Sequence, residues 1–110
     1  MDGTAIMQGL ATMFIASTAG VDLSMIEYLQ IVLLAMVASI GAAAVPSAGT
    51  ITLALILSSL GLPLDAIGLI LAVDRILDMI RTSVNVTGDS AIACIVADSE
   101  NLLDKEVFNK

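Results

Sequence analysis

The chain is built from long apolar runs separated by short polar breaks. Residues 1–4, Met-Asp-Gly-Thr, read as a break that leads into a helix, with Thr4 as its N-cap. Residues 5–18 (AIMQGLATMFIAST) are apolar and helix-compatible, with Gln8 as the one strongly polar side chain, and end at Ala19-Gly20. Asp2, at the head of this helix, is either a cap carboxylate or a cation ligand. Gly20-Val21-Asp22 predicts a turn, after which Asp22 or Ser24 caps the next helix and Glu27 sits early, where the helix dipole favours an acid. From Tyr28 to Leu64 there follow 37 residues without a charge. As one helix they would measure about 56 Å, against a hydrocarbon core of about 30 Å. Pro46, flanked by the small residues of 41–49, breaks that run near its midpoint and predicts a helical hairpin with an uncharged tip. Either the tip reaches the aqueous surface, making two full spans, or it stops inside the protein. There its carbonyls could ligate a cation and its amides meet an anion.

Gly61-Leu62-Pro63-Leu64 ends the second arm, and Asp65 is the predicted cap of a third helix running to Ala97. Asp74, Asp78, Arg81, Asn85 and Asp89 are spaced 4, 3, 4 and 4 apart on it. At about 100° per residue they fall within an arc of roughly 80°, a polar stripe about 22 Å long on an otherwise apolar helix. A soluble amphipathic helix could carry such a stripe, but its neighbours here are too apolar for a soluble domain. Ionisable groups at membrane depth usually line a substrate or ion pathway. Residues 98–110 (DSENLLDKEVFNK) are polar and read as a frayed tail outside the membrane.

Composition narrows the classes. The 110 residues are 58% hydrophobic and 14% charged, which belongs to an all-α membrane protein. The net charge of −7 offers no basic patch, so nucleic acid is not a partner. Cys94 is the only cysteine and histidine is absent, so an internal disulfide, a thiolate metal site and the usual base are excluded. There is no phosphate-binding or dinucleotide-binding glycine loop and no nucleophile elbow, so the chain is not read as an enzyme, and no cofactor is expected. Asn85-Val86-Thr87 matches the glycosylation triplet only by chance, since it lies on an apolar helix. No polar segment leads into the first helix, and Met1 is read as lying inside a longer protein.

Asp78 and Arg81, three apart, either neutralise each other as an ion pair or act separately on a ligand. Used separately, the guanidinium takes a carboxylate in a bidentate fork, the aspartate accepts from an ammonium, and Asn85 offers a donor and an acceptor. That set matches a molecule with one amine and two carboxylates, such as aspartate or glutamate. Asp89, one turn beyond Asn85, suits a hard cation such as Na⁺. Asp74 and Arg75 have no clear role. A carrier-ring subunit of a rotary ATPase would explain a small-residue hairpin, but residues 28–64 hold no carboxylate.

The sequence resembles the dicarboxylate/amino acid:cation symporters, the glutamate transporter family. Three motifs carry the resemblance, in order and at matching intervals: Met1-Asp2-Gly3-Thr4; Ala44-Val45-Pro46-Ser47-Ala48-Gly49; and Asp74-x3-Asp78-x2-Arg81-Thr82-x2-Asn85-x3-Asp89. The resemblance implies that residues 1–97 are the C-terminal part of a transport domain. Residues 1–19 would be the second half of a discontinuous seventh helix, 23–61 a re-entrant hairpin acting as a gate, and 65–97 an eighth, polar-striped transmembrane helix, with 98–110 a tail. Arg81, helped by Thr4, would bind the substrate's side-chain carboxylate. Asp78 and the Val45 carbonyl would bind its amino group and Asn85 its α-carboxylate, with Thr82 beside them and the backbone near Gly49 completing the gate. Asp89 with the Asn85 carbonyl would hold one Na⁺, carbonyls of Ser39, Ile40 and Ala42 with Met1 a second, and Asp2 would serve a third. The implied function is Na⁺-coupled symport of acidic amino acids across a plasma or inner membrane, by a multi-pass homotrimer in lipid. A C4-dicarboxylate or H⁺-coupled member of the family, or a truncated remnant without function, are the alternatives. Ser47 and Ala44 stand where some members have glycine, and Ala42 where a threonine is usual. The first hairpin, the preceding helices and the trimerisation scaffold lie outside these 110 residues, which are not expected to transport alone.

Overall fold

A computed structural model describes residues 1–42 and 48–110. The described residues form helices and turns, without a strand: α1 (Asp2–Thr18), α2 (Met25–Gly41), α3 (Ala48–Ser59), a 3-10 turn (Leu64–Ala66), α4 (Ile67–Leu71), α5 (Asp74–Ser99) and α6 (Lys105–Phe108). The all-α class expected from the sequence is what the described residues adopt.

The helix ends follow local chemistry. Of the two candidates for capping α2, Ser24 is used: its hydroxyl accepts from the Glu27 amide while Glu27 accepts from the Ser24 amide, a complete capping box. Gly20 and Gly61, both at positive φ, close α1 and α3 in Schellman motifs: Val21 N–H returns to the Ala16 carbonyl and Leu62 N–H to the Leu57 carbonyl. Asn101, at φ 56°, closes α5 the same way.

Four expectations change. Thr4 does not cap α1, which begins at Asp2 without a side-chain cap; Thr4 lies inside the helix because its hydroxyl is taken by Asn85 of α5. Asp65 makes no capping bond either and sits within the 3-10 turn. The third helix is not continuous from 65. At Val73 the amide bonds the Ile70 carbonyl, three residues back, and α5 restarts at Asp74, an acid placed where the new helix dipole favours it. The tail is less frayed than expected: Asp104 caps the single turn α6 by accepting from the Glu106 and Val107 amides, and Lys105 pairs with Asp98 at 3.2 Å.

α1 is the central helix and packs against α2, α3 and α5. At its C-terminal end Ala11, Ile15 and Ala16 form the apolar core with Leu53 and Leu57 of α3, Leu62, and Ile70 of α4. α2 and α3 pack on each other as the two arms of the expected hairpin; its tip, with Val45 and Pro46, lies outside the described residues. The other half of α1 is inverted. Thr4, Gln8 and Thr12 are 3%, 1% and 0% exposed, while Ile6, Leu10 and Phe14 are 60%, 64% and 51% exposed. α5 repeats the inversion, with Ile76, Met79, Ile80 and Val86 exposed and its polar stripe turned toward the other helices.

Among the described residues no helix is long and apolar enough to cross a membrane. α1 and α2, 17 residues each, reach only about 26 Å. α5, with 26 residues, is long enough at about 39 Å, but the stripe makes it too polar to count as a spanning helix by itself.

Candidate ligand-binding site

The stripe on α5 meets α1 and α3 around Arg81. Asp74, Asp78, Arg81 and Asn85 are half-buried and Asp89, at the far end, is exposed. The Arg81 side chain is 15% exposed and pairs through Nη2 with Asp78 Oδ1, whose side chain is 49% exposed. Its other terminal nitrogen, Nη1, donates to Met7 Sδ of α1 at 3.6 Å. Gly49 of α3 lies so close to Nη1 that a Cβ there would collide with the guanidinium. The guanidinium is thus bounded by three helices, and the absence of a side chain at residue 49 gives it room.

One turn along α5, Asn85 Nδ2 donates to Thr4 Oγ1 at 2.9 Å, while Asn85 Oδ1 is buried without a partner. α1 and α5 cross tightly here: a Cβ on Gly3 would come within 2.7 Å of the Arg81 carbonyl oxygen and 3.0 Å of Asn85 Oδ1. Asp2 Oδ2 lies 3.6 Å from where a Cβ on Gly88 would be, so the head of α1 rests against the turn of α5 that carries Asp89.

A second polar link joins α1 to α3. Gln8 Nε2 donates to Thr52 Oγ1, and that hydroxyl lies at 2.9 Å from the Ala48 carbonyl and 3.1 Å from that of Gly49. Thr12 Oγ1 donates to the Gln8 carbonyl at 2.7 Å, and Gln8 Oε1 is buried and unpartnered. A buried acceptor without a bond costs about 1–3 kcal/mol, so two such atoms on one polar interface point to groups that a ligand or a further segment satisfies.

The residues singled out as cation ligands fall in two places. Met1 and Asp2 are exposed at the head of α1, where Asp2 lies against Gly88, next to Asp89. Ser39, Ile40 and Ala42 form the end of α2, where the last helical carbonyls have no intrahelical partner and the dipole is negative. The Ser39 hydroxyl itself is buried and donates to the Met36 carbonyl at 2.9 Å, and the Ile40 side chain is exposed, so backbone oxygen is what these residues offer. Among the described residues no three His, Cys, Asp or Glu side chains gather as a metal site.

The model of the sodium:dicarboxylate symporter family matches residues 1–99. The chain belongs to this family. An excitatory amino acid transporter of Onchocerca volvulus is 52% identical over 96 residues, 87% of this chain and 20% of that protein. Excitatory amino acid transporter 1 of Rattus norvegicus is 47% identical over 110 residues, all of this chain and 20% of that protein. Excitatory amino acid transporter 2 of Homo sapiens is 51% identical over 96 residues, 87% of this chain and 17% of that protein. The chain thus spans about a fifth of the length of these relatives, which are transporters and not enzymes.

Of the residues assigned to a symporter substrate, Thr4, Gly49, Asp78, Arg81 and Asn85 come together at the junction of α1, α3 and α5. Thr82 is exposed, one residue off the stripe, and Val45 lies outside the described residues. Sequence reasoning missed Met7 and Thr52. Gln8, noted only for its polarity, is buried and joins α1 to Thr52 of α3. The signal available was the recurrence of Thr4, Gln8 and Thr12 every four residues on an apolar helix.

Proposed function

We propose that this chain is the C-terminal part of the transport domain of a cation-coupled acidic amino acid symporter. Residues 1–19 supply the second half of a broken helix, 23–61 a gating hairpin and 65–97 the helix that reads the substrate, followed by a tail at 98–110. The observation that carries this reading is the Arg81 guanidinium, half-buried among three helices and held by a single carboxylate. A substrate carboxylate would take the place of Asp78 on Arg81, which frees Asp78 to accept from the substrate ammonium. Thr4 would help Arg81 hold that side-chain carboxylate, the Val45 carbonyl would share the ammonium with Asp78, and Asn85 would hold the α-carboxylate, with Thr82 beside them and the backbone near Gly49 completing the gate. Na⁺ is the coupling ion on this reading: at Asp89 with the Asn85 carbonyl, at the Ser39, Ile40 and Ala42 carbonyls with Met1, and at Asp2. The unpartnered Asn85 Oδ1 supports an oxygen-ligated cation or ammonium nearby. The assembled protein would be a homotrimer in a plasma or inner membrane.

The test is uptake by proteoliposomes holding the full-length protein that carries this stretch. Aspartate or glutamate accumulation that needs a Na⁺ gradient, and is lost in Arg81→Cys, is the expected result. Accumulation driven by a pH gradient instead would reassign the coupling ion. Succinate uptake that survives Asp78→Asn, with no uptake of amino acids, would reassign the substrate to a C4-dicarboxylate.

A further inference from the structure

The Arg81 guanidinium must point its fork at a ligand while Asp78 competes for it. Asp78 occupies only Nη2. Nη1 abuts Gly49 of α3, and Arg81 also lines a half-open apolar groove of about 340 Å³ between α1 and α5, walled by Leu10, Phe14, Ile70, Leu77 and Val84 among others. Those side chains cannot accept a hydrogen bond. In that wall the Met7 sulfur, 3.6 Å from Nη1, is the acceptor side chain. A thioether is a weak acceptor, whereas an amide or carboxylate oxygen is a strong one.

We propose that Met7 is a positioning residue for Arg81. Its sulfur holds the Nη1 edge of the fork by a bond strong enough to orient it and weak enough for a substrate carboxylate to displace. The inference rests on Arg81 receiving a carboxylate, but the positioning itself does not depend on what is transported. Two replacements of similar size separate positioning from packing. Met7→Leu removes the acceptor, so Nη1 loses its anchor. Met7→Gln supplies a full-strength acceptor, so Nη1 is held harder and the substrate must compete for it.

Two readouts on the full-length protein in proteoliposomes decide the matter. The first is the rate at which phenylglyoxal, an arginine reagent, modifies Arg81, followed by peptide mass. It is expected to rise in Met7→Leu and fall in Met7→Gln, in opposite directions from the unsubstituted protein. Equal rates in all three forms, or a rise in both variants, would overturn the proposal, since a loss of packing loosens both alike. The second is the concentration dependence of aspartate uptake. KM is expected to rise about threefold to tenfold in Met7→Leu and more in Met7→Gln, with the maximal rate changed less than KM. A fall in maximal rate with KM unchanged would also overturn it. Absence of uptake by the unsubstituted protein would refute the transport reading alone, and the modification rates would still decide the role of Met7.

Discussion

Replacing Gly49 by alanine tests the site with one methyl group. The added Cβ would collide with the Arg81 guanidinium, and its nearest neighbours are all atoms of that group. A guanidinium is the far end of a flexible side chain, so it moves and the backbone does not. The fold should hardly notice. Alanine is favoured over glycine by up to about 1 kcal/mol within a helix, less in the first turn where residue 49 sits. The Asp78–Arg81 pair, with Asp78 half exposed, is worth about 1 kcal/mol or less. These nearly cancel. Recognition should suffer much more, because a displaced fork loses a charge-assisted bond of about 1.5–3 kcal/mol to the substrate carboxylate. That corresponds to a KM for aspartate raised about tenfold to a hundredfold. Gly3→Ala is the control of opposite kind. Its Cβ would press on the Arg81 carbonyl at 2.7 Å and on Val84 Cβ at 3.2 Å, so the α1–α5 crossing must open, at about 1–3 kcal/mol. The assay pairs concentration-dependent uptake with thermal unfolding of the same full-length preparations. A Gly49→Ala protein with unchanged KM, or one that loses as much stability as Gly3→Ala, would refute the reasoning.

Three further outcomes follow from the packing. Leu57→Ala should destabilise the α1–α3 core by about 2–5 kcal/mol, read as faster amide hydrogen exchange in both helices, since Leu57 is fully buried there. Thr52→Val keeps the shape but leaves the Gln8 amide without its partner, for a loss of about 1–3 kcal/mol, and Thr52→Ser should recover most of it in the same unfolding measurement. Ser24→Ala removes one half of the capping box and should speed amide exchange at Glu27 while leaving the middle of α2 unchanged.

What could be read from the sequence depended on signals that are local. The charge-free run with Pro46 in it announced two arms, and α2 and α3 are those arms on either side of residues 43–47. The 4-3-4-4 spacing put Asp78, Arg81 and Asn85 on one face, and α5 turns that face inward. The break at Ala72-Val73 left no such mark, because neither residue is a helix breaker; Ile70 is buried in the core cluster on the far side of it. Thr4 was misread as a cap because its partner, Asn85, is 81 residues away. Met7 is apolar, so nothing in the local pattern separates it from its neighbours, and only the approach of the Arg81 guanidinium gives it a role; the partner of Thr52 is Gln8, 44 residues away.

The inverted faces of α1 and α5 also say what must surround them. Exposing Ile6, Leu10 and Phe14 in water rather than burying them would forgo about 1.5–3 kcal/mol each. A helix free to rotate in water would turn those residues in and Thr4, Gln8 and Thr12 out. The observed orientation gains only if the outside is itself apolar, because that penalty then vanishes and the cost of leaving polar groups outside replaces it. The molecule is 18 Å across its thinnest axis, about two helices, so no third layer within these residues supplies that apolar outside. Lipid or further apolar helices must. Under that condition the thermodynamics that ordinarily drives polar groups to the surface drives Thr4, Gln8 and Thr12 into the helix interfaces, with the half-buried Arg81 and Asn85 of α5 facing them.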